Sequence, residues 1–176
     1  MPKYVAFLRA INVGGHIVKM DQLRRLFNEL NFTNVETFIA SGNVIFDSPS
    51  RNARSLERKI EKHLLGKLGY EVATFIRSIP EVAALAEHEP FKNADGHVVY
   101  VAFVLDQPSN ENARRLLSCN NAVDEFHVKG SAIYWLCRKK FGESEFSGAR
   151  LEKTIGMAAT VRNTNTIRRI AAKYSK

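Results

Sequence analysis

Cysteine is scarce in this sequence: Cys119 and Cys137 are the only two in 176 residues. No second Cys or His stands at CxxC or HxxxH spacing to complete a metal site, so the two thiols read as packing residues of a protein kept in the reducing cytosol. The five histidines, at positions 16, 63, 88, 97 and 127, form no i, i+4 pair, and HExxH and GxSxG are both missing. These absences exclude a zincin helix and a hydrolase nucleophile elbow, and no metal or cofactor is expected. No stretch approaches 18 apolar residues, which excludes a membrane-spanning helix. "MPKYVAFLRA" has no apolar region followed by a small-residue cleavage site, so no export signal is expected and the protein is placed in the cytoplasm.

What is present is ordinary globular material, 45% hydrophobic and 25% charged, with a net charge of +8. Residues 1–95 carry 13 Lys/Arg against 11 Asp/Glu, and residues 96–176 carry 13 against 7. The basic surplus therefore lies in the second half. It fits a phosphate-bearing partner, and a solvated surface accounts for it as well.

"KYVAFLRA" from Lys3 alternates as a strand, and "KMDQLRRLFNEL" places Met20, Leu23, Leu26, Phe27 and Leu30 on one helical face, with Asn31 suited to a left-handed stop. "VETFIA" and "NVIFDS" follow as two strands joined by a hairpin turn at Ser41-Gly42-Asn43. "SLERKIEKHLLGKL" puts Leu56, Ile60, Leu64 and Leu68 on one face before Gly69, "EVATFIRS" is a fourth strand, and a short helix starts near Pro80. Leu26, Phe27 and Phe7 are expected in the core.

The second half repeats this order. "YVAFL" at Tyr4 returns as "YVAFV" at Tyr100, "GNVIF" at Gly42 faces "SAIYW" at Ser131, and "IRSIPEVAALA" at Ile76 faces "VRNTNTIRRIA" at Val161, at offsets of 96, 89 and 85 residues. Three matches in one order at slowly shrinking offsets point to internal duplication. The fold expected is α+β, two ferredoxin-like βαββαβ units over residues 1–95 and 96–176, each an antiparallel sheet with its helices on one face, linked through "AEHEPFKNADGH". Both phases of the strands are apolar, Val5 and Phe7 against Ala6 and Leu8, so both sheet faces should be buried.

One loop is not shared between the halves. "RAINVGGHIVK" joins strand to helix in the first unit, where the second has "LDQPSNEN". A turn needs the positive φ that Gly14 and Gly15 supply, but not Arg9, Asn12, His16 and Lys19 around them. Glycines that let backbone N–H groups approach an anion, a helix start just beyond and two cations make a phosphate or carboxylate cradle. The stretch also fits a structural turn with solvated charges. It is neither a Walker loop nor the dinucleotide GxGxxG. His16 reads as an acid–base group or a solvated loop histidine.

A second candidate is "TVRNTNTIRRIAAK", where Arg162, Asn163 and Asn165 stand between a strand and the last helix. Asn163 fits a plain N-cap, with Ile167, Ile170, Ala171 and Tyr174 as the buried face. Arg162 and Asn165 fit an anion-facing role. In an ideal unit the Ser41 hairpin is expected at the sheet edge opposite the Gly14 loop, so one half does not combine both in one pocket.

"RAINVGG", the "KM" at Lys19 with Leu23 after it, "SGNVIF" and "TVRNTNT", in that order, resemble the bacterial domain-of-unknown-function family 1697 over essentially the whole chain. The resemblance implies an α+β fold of two ferredoxin-like parts and implies no activity. Thr164 departs from it, standing where the family often has an aromatic residue, as in R-N-W-N-T.

The function expected is binding of a small anionic ligand, a nucleotide or phosphorylated metabolite, through Arg9, Asn12, Gly14, Gly15 and Lys19, with Arg162, Asn163 and Asn165 as further ligand-binding candidates and no membrane partner. A nucleic-acid-binding module using the basic second half is the alternative, and an enzyme acting at the same loop on a phosphate- or carboxylate-bearing molecule is a third, with no catalytic residue assigned. RNA-recognition modules share the βαββαβ order, but "GNVIF" and "SAIYW" do not match their aromatic motif; Tyr134 and Trp135 are the best stacking candidates.

Overall fold

The computed structural model describes residues 1–11, 15–92, 94–140 and 143–176, and of Ala40 and Ser41 the backbone alone. The first six elements are β1 (Lys3–Leu8), α1 (Met20–Asn28), β2 (Thr33–Phe38), β3 (Ala40–Asp47), α2 (Ala53–Leu68) and β4 (Thr74–Ser78), followed by α3 (Ile79–Glu87). The same order returns as β5 (Val98–Val104), α4 (Asn110–Leu117), β6 (Asp124–Lys129), β7 (Ala132–Cys137), α5 (Gly148–Ile155) and β8 (Ala159–Asn163), followed by α6 (Thr164–Tyr174). Two four-stranded sheets result, ordered β2-β3-β1-β4 and β6-β7-β5-β8, with every neighbouring pair antiparallel. This is the α+β, ferredoxin-like pattern expected, occurring twice. The chain divides into two compact units, Met1–Ala84 with Ile170–Lys176, and Leu85–Arg169.

In the first unit Tyr4, Ala6 and Leu8 of β1 meet Leu23, Leu26 and Phe27 of α1 and Leu56, Ile60 and Leu64 of α2 in one apolar cluster. Phe27 is at its centre, with its ring 5.7 Å from that of Phe46. Met20 departs from the expected face: it is the first residue of α1 and 44% exposed, because the helix begins there and its first turn lies beyond the sheet contact. Asn31 does take a left-handed φ, 62°, after α1. α2 is closed at both ends as its sequence requires, with the Asn52 side chain accepting from the Ser55 N–H and Gly69 ending it at φ 82°.

In the second unit Ala102, Val104 and Trp135 join Leu116, Leu151 and Ile155 in the corresponding core. The alternate strand positions Val5, Phe7, Val101 and Phe103 are all buried too, so both faces of both sheets are covered.

The hairpin between β2 and β3 is not formed by Ser41-Gly42-Asn43. The chain reverses at Ile39, with Phe38 paired to Ala40, and residues 41–43 already belong to β3. Asn43 is a buried strand residue opposite Phe7, and its side-chain amide donates to the Phe38 carbonyl at 3.2 Å. Asn43 thereby supplies the hydrogen bond that the register shift between Thr37 and Phe38 takes out of the ladder.

Candidate functional site

The register of the first sheet fixes which loops share an end. β1 and β2 both run antiparallel to β3, so they are parallel to each other and finish at the same edge. Phe7 stands opposite Asn43, Leu8 opposite Thr74, and the Arg9 N–H donates to the Ala73 carbonyl at 2.9 Å. The loop after β1, the turn at Ile39 and the entry to β4 therefore lie at one end. The expectation that the hairpin sits opposite the glycine loop is overturned, because the α1 crossover returns β2 in the direction of β1.

Among the described residues at this end, Ala10 at 55°, Gly15 at 85° and Ile39 at 69° have φ in the left-handed region, as does the α2 cap Gly69 at 82°. Glycine takes this conformation without strain; a β-branched residue does so only when its surroundings impose it, and such residues concentrate at functional sites. A Cβ built on Gly15 would meet nothing within 4 Å, so its conformation and not a close contact calls for glycine. Arg9 is partly buried, and Gly15, His16 and Lys19 are exposed, while Asn12 and Gly14 lie outside the described residues.

His16 stacks on Tyr70, with ring centroids 3.9 Å apart and planes at 27°. Tyr70 follows the Gly69 cap of α2, in a segment with no motif or periodicity that singles it out. Its hydroxyl is buried and has no hydrogen-bond partner among the described residues. Lys19 occupies the N-cap of α1 and provides no side-chain cap, whereas Asn52, Ser109 and Ser147 cap α2, α4 and α5. The acid in the first turn of α1, Asp21, is engaged by Arg24. The first turn of α1 thus has no side-chain cap from Lys19, and Arg9, His16 and Lys19 lie in the stretch that leads into it.

The second candidate segment has mostly structural partners. Arg162, in β8 opposite Val101, donates to the Thr160 hydroxyl at 2.6 Å and to the Val161 carbonyl at 3.0 Å, and burial pushes its guanidinium down to about 10. The Asn163 side chain accepts from the Asn165 N–H at 2.9 Å, which is the N-cap of α6. Ile167 and Ile170 are fully buried behind it.

Asn163, Thr164 and Asn165 also line a cleft of about 410 Å³ with His88, His97 and Arg168. Glu89 and Asp95 line it as well, with Glu89 3.9 Å from Arg168, so its charge is mixed. His88 lies beside His127 and Tyr134 at centroid distances of 5.3 and 5.2 Å; burial, Lys129 and His127 hold its imidazole below its usual range.

Neither aromatic nominated for base stacking is available. Trp135 is 1% exposed and donates from Nε1 to the Asp124 carboxylate at 2.8 Å. Tyr134 is 0% exposed, donates to the Leu85 carbonyl at 2.8 Å, and burial pushes its hydroxyl up to about 12. Among the described residues there is no group of three or more His, Cys, Asp or Glu placed to hold a metal ion. No helix among them is long and apolar enough to cross a membrane.

The conserved bacterial protein SP0830 from Streptococcus pneumoniae has a similar structure, 21% identical in sequence, with a TM-score of 0.77 over 100% of this chain and 99% of that one. That likeness shows the fold. No curated protein sequence matches the chain. A family model described as "Protein of unknown function (DUF1697)" matches residues 1–134, three quarters of the chain and three of the four quoted motifs, and the chain belongs to that family.

Proposed function

We propose that this is a cytosolic protein that binds a small anionic ligand, a nucleotide or phosphorylated metabolite, at the end of the first sheet where β1 runs into α1. What supports the reading is that one stretch of chain at this end carries Arg9, the His16 that stacks on Tyr70 and the start of α1, which has no side-chain cap from Lys19. Backbone N–H groups donate to the anion, and Arg9 and Lys19 neutralise it. Asn12 and Gly14 complete the loop in this reading. Asn163 and Asn165 line the separate mixed-charge cleft and Arg162 turns to Thr160, so these three are secondary candidates.

Isothermal titration calorimetry with a panel of nucleotides and sugar phosphates tests the proposal. Saturable binding of one mononucleotide or sugar phosphate is expected. Arg9→Ala should weaken it by roughly tenfold to a hundredfold, the loss of one charge-assisted contact worth about 1.5–3 kcal/mol. Tyr70→Phe, which removes only the buried hydroxyl, should weaken binding while the melting temperature holds. Absence of binding by the parent protein, or an unchanged affinity in Arg9→Ala, overturns the reading.

A further inference from the structure

The sequence of α2 reads as mixed charge, but the fold sorts the charges. Both of its carboxylates turn toward the edge of the sheet, where Glu57 accepts from the Ile76 N–H at 3.0 Å and Glu61 from the Thr74 N–H at 3.2 Å. The exposed face is left with Arg58, Lys59 and Lys62, extended by Arg51 just before the helix, while Lys67 lies about 180° round the helix from Arg58, on the side that meets α1. Glu29 reaches this face from the end of α1 and meets His63 at 2.9 Å and Lys67 at 3.4 Å. Arg51, Arg58 and Lys62 are in no ion pair among the described residues, although Glu61 and Glu71 border one hollow with Arg58 and Lys62.

Gly66 lies on the same face. It sits inside a 16-residue helix, where glycine is disfavoured relative to alanine, and a Cβ built on it would meet nothing within 4 Å. Nothing in the chain therefore calls for a glycine there. It does leave a shallow depression of about 420 Å³, bordered by Lys59, Lys62, His63, Lys67 and Leu30. A missing side chain ringed by cations allows the backbone of a partner to approach the helix closely.

We propose that this face of α2, with Gly66 as its floor, docks the sugar-phosphate backbone of a nucleic acid strand. The helix is about 24 Å long, enough for successive phosphates to meet Arg51, Arg58 and Lys62 in turn along one side. A lipid surface fits less well, because the apolar side of α2 is spent on the core through Leu56, Ile60 and Leu64, and Leu65 is the one large apolar residue exposed along it. This site is independent of the β1–α1 loop and recognises a repeating charge, not a single ligand.

The test is fluorescence anisotropy of the full chain with a labelled oligothymidylate of about 20 nucleotides, between about 50 and 200 mM salt. Binding should fall steeply with salt. Arg58→Glu/Lys62→Glu should weaken it by about a hundredfold at the lower salt and flatten the logarithmic salt slope by at least about 1. Gly66→Ala is the decisive variant, because it should raise the melting temperature through helix propensity and still weaken oligonucleotide binding severalfold. The proposal is overturned if Gly66→Ala raises the melting temperature and leaves binding intact, if the charge-reversed variant binds as the parent does, or if poly-glutamate or phosphatidylserine vesicles compete as well as the oligonucleotide.

Discussion

Glu57 of α2 stands under the edge of the first sheet and accepts the Ile76 backbone N–H of β4 at 3.0 Å, although the residue is only 5% exposed. β4 is an edge strand, and an edge N–H without a partner is both a desolvation cost and a template for pairing with another chain. Glu61 closes the Thr74 N–H in the same way, so α2 supplies the bonds that a fifth strand would otherwise make. Glu57→Ala should therefore destabilise the protein by about 1–3 kcal/mol, the penalty of a buried donor without its acceptor. Urea denaturation measures it, and Glu57→Gln, which keeps an oxygen in place, should lose less.

The same carboxylate has a pH signature. Burial pushes Glu57 above the usual carboxylate range, against the opposing effects of the Ile76 N–H, Arg54 and Arg77. The folded state thus holds its proton to higher pH than the unfolded chain, so its contribution is fully present below the ordinary glutamate value and is lost as pH rises through the raised one. Glu57→Gln removes this dependence. The stability of the variant relative to the parent should increase as pH is raised from about 4 to about 7, in denaturation curves taken along that series. A constant difference would show that burial does not perturb the group.

Asp124 holds the sole tryptophan in place. Its carboxylate accepts from Trp135 Nε1 at 2.8 Å and from the Ser144 hydroxyl at 2.5 Å, inside the second core. Asp124→Ala leaves both donors buried and should cost about 1–3 kcal/mol. Asp124→Asn keeps an acceptor for the indole and should cost less. Because Trp135 is the only tryptophan, its emission should shift in Asp124→Ala before unfolding, which steady-state fluorescence reads directly.

The strands and helices were legible because burial on alternating or helical positions leaves a periodic trace. Val5, Phe7, Ala6 and Leu8 show both phases of a strand covered, and Leu23, Leu26 and Phe27 show one face of a helix. The equal strand order of the two sheets is what an internal duplication predicts. The hairpin was misplaced because Gly42 and Asn43 carry the composition of a turn, while the reversal falls at Ile39, a residue with no propensity for it. Tyr70 and Glu57 were not legible for another reason: each matters through a contact made across the fold, His16 in one case and the Ile76 N–H in the other. Charge counted by halves missed α2 similarly, since the count includes Glu57 and Glu61 but not the direction in which they point.

Phe27 tests the core as read from periodicity. It is 0% exposed, with Phe32 and Phe46 at centroid distances of 6.1 and 5.7 Å. Phe27→Ala should cost about 3–5 kcal/mol through lost contacts and the cavity left behind. A loss under roughly 1 kcal/mol in denaturant titration would mean that the ring is not a core residue.

Gly15 separates a turn from a ligand loop. Its φ of 85° disfavours any residue with a Cβ, yet the space around it is open, so Gly15→Ala introduces no clash and only the conformational penalty, about 1 kcal/mol. Gly15→Val adds β-branching and should cost more. If the loop is only a turn, the two variants lower the melting temperature in that order and nothing else changes. If Arg9 and the start of α1 hold an anion over this glycine, a side chain at position 15 also enters the ligand's space. Affinity should then fall in Gly15→Ala well beyond what its small loss of stability explains. Arg9→Ala gives the converse, with affinity lost and the melting temperature nearly kept. Measured together by calorimetry and thermal denaturation, the two variants place the anion at the loop when both outcomes hold; unchanged affinity in Gly15→Ala leaves the loop a turn.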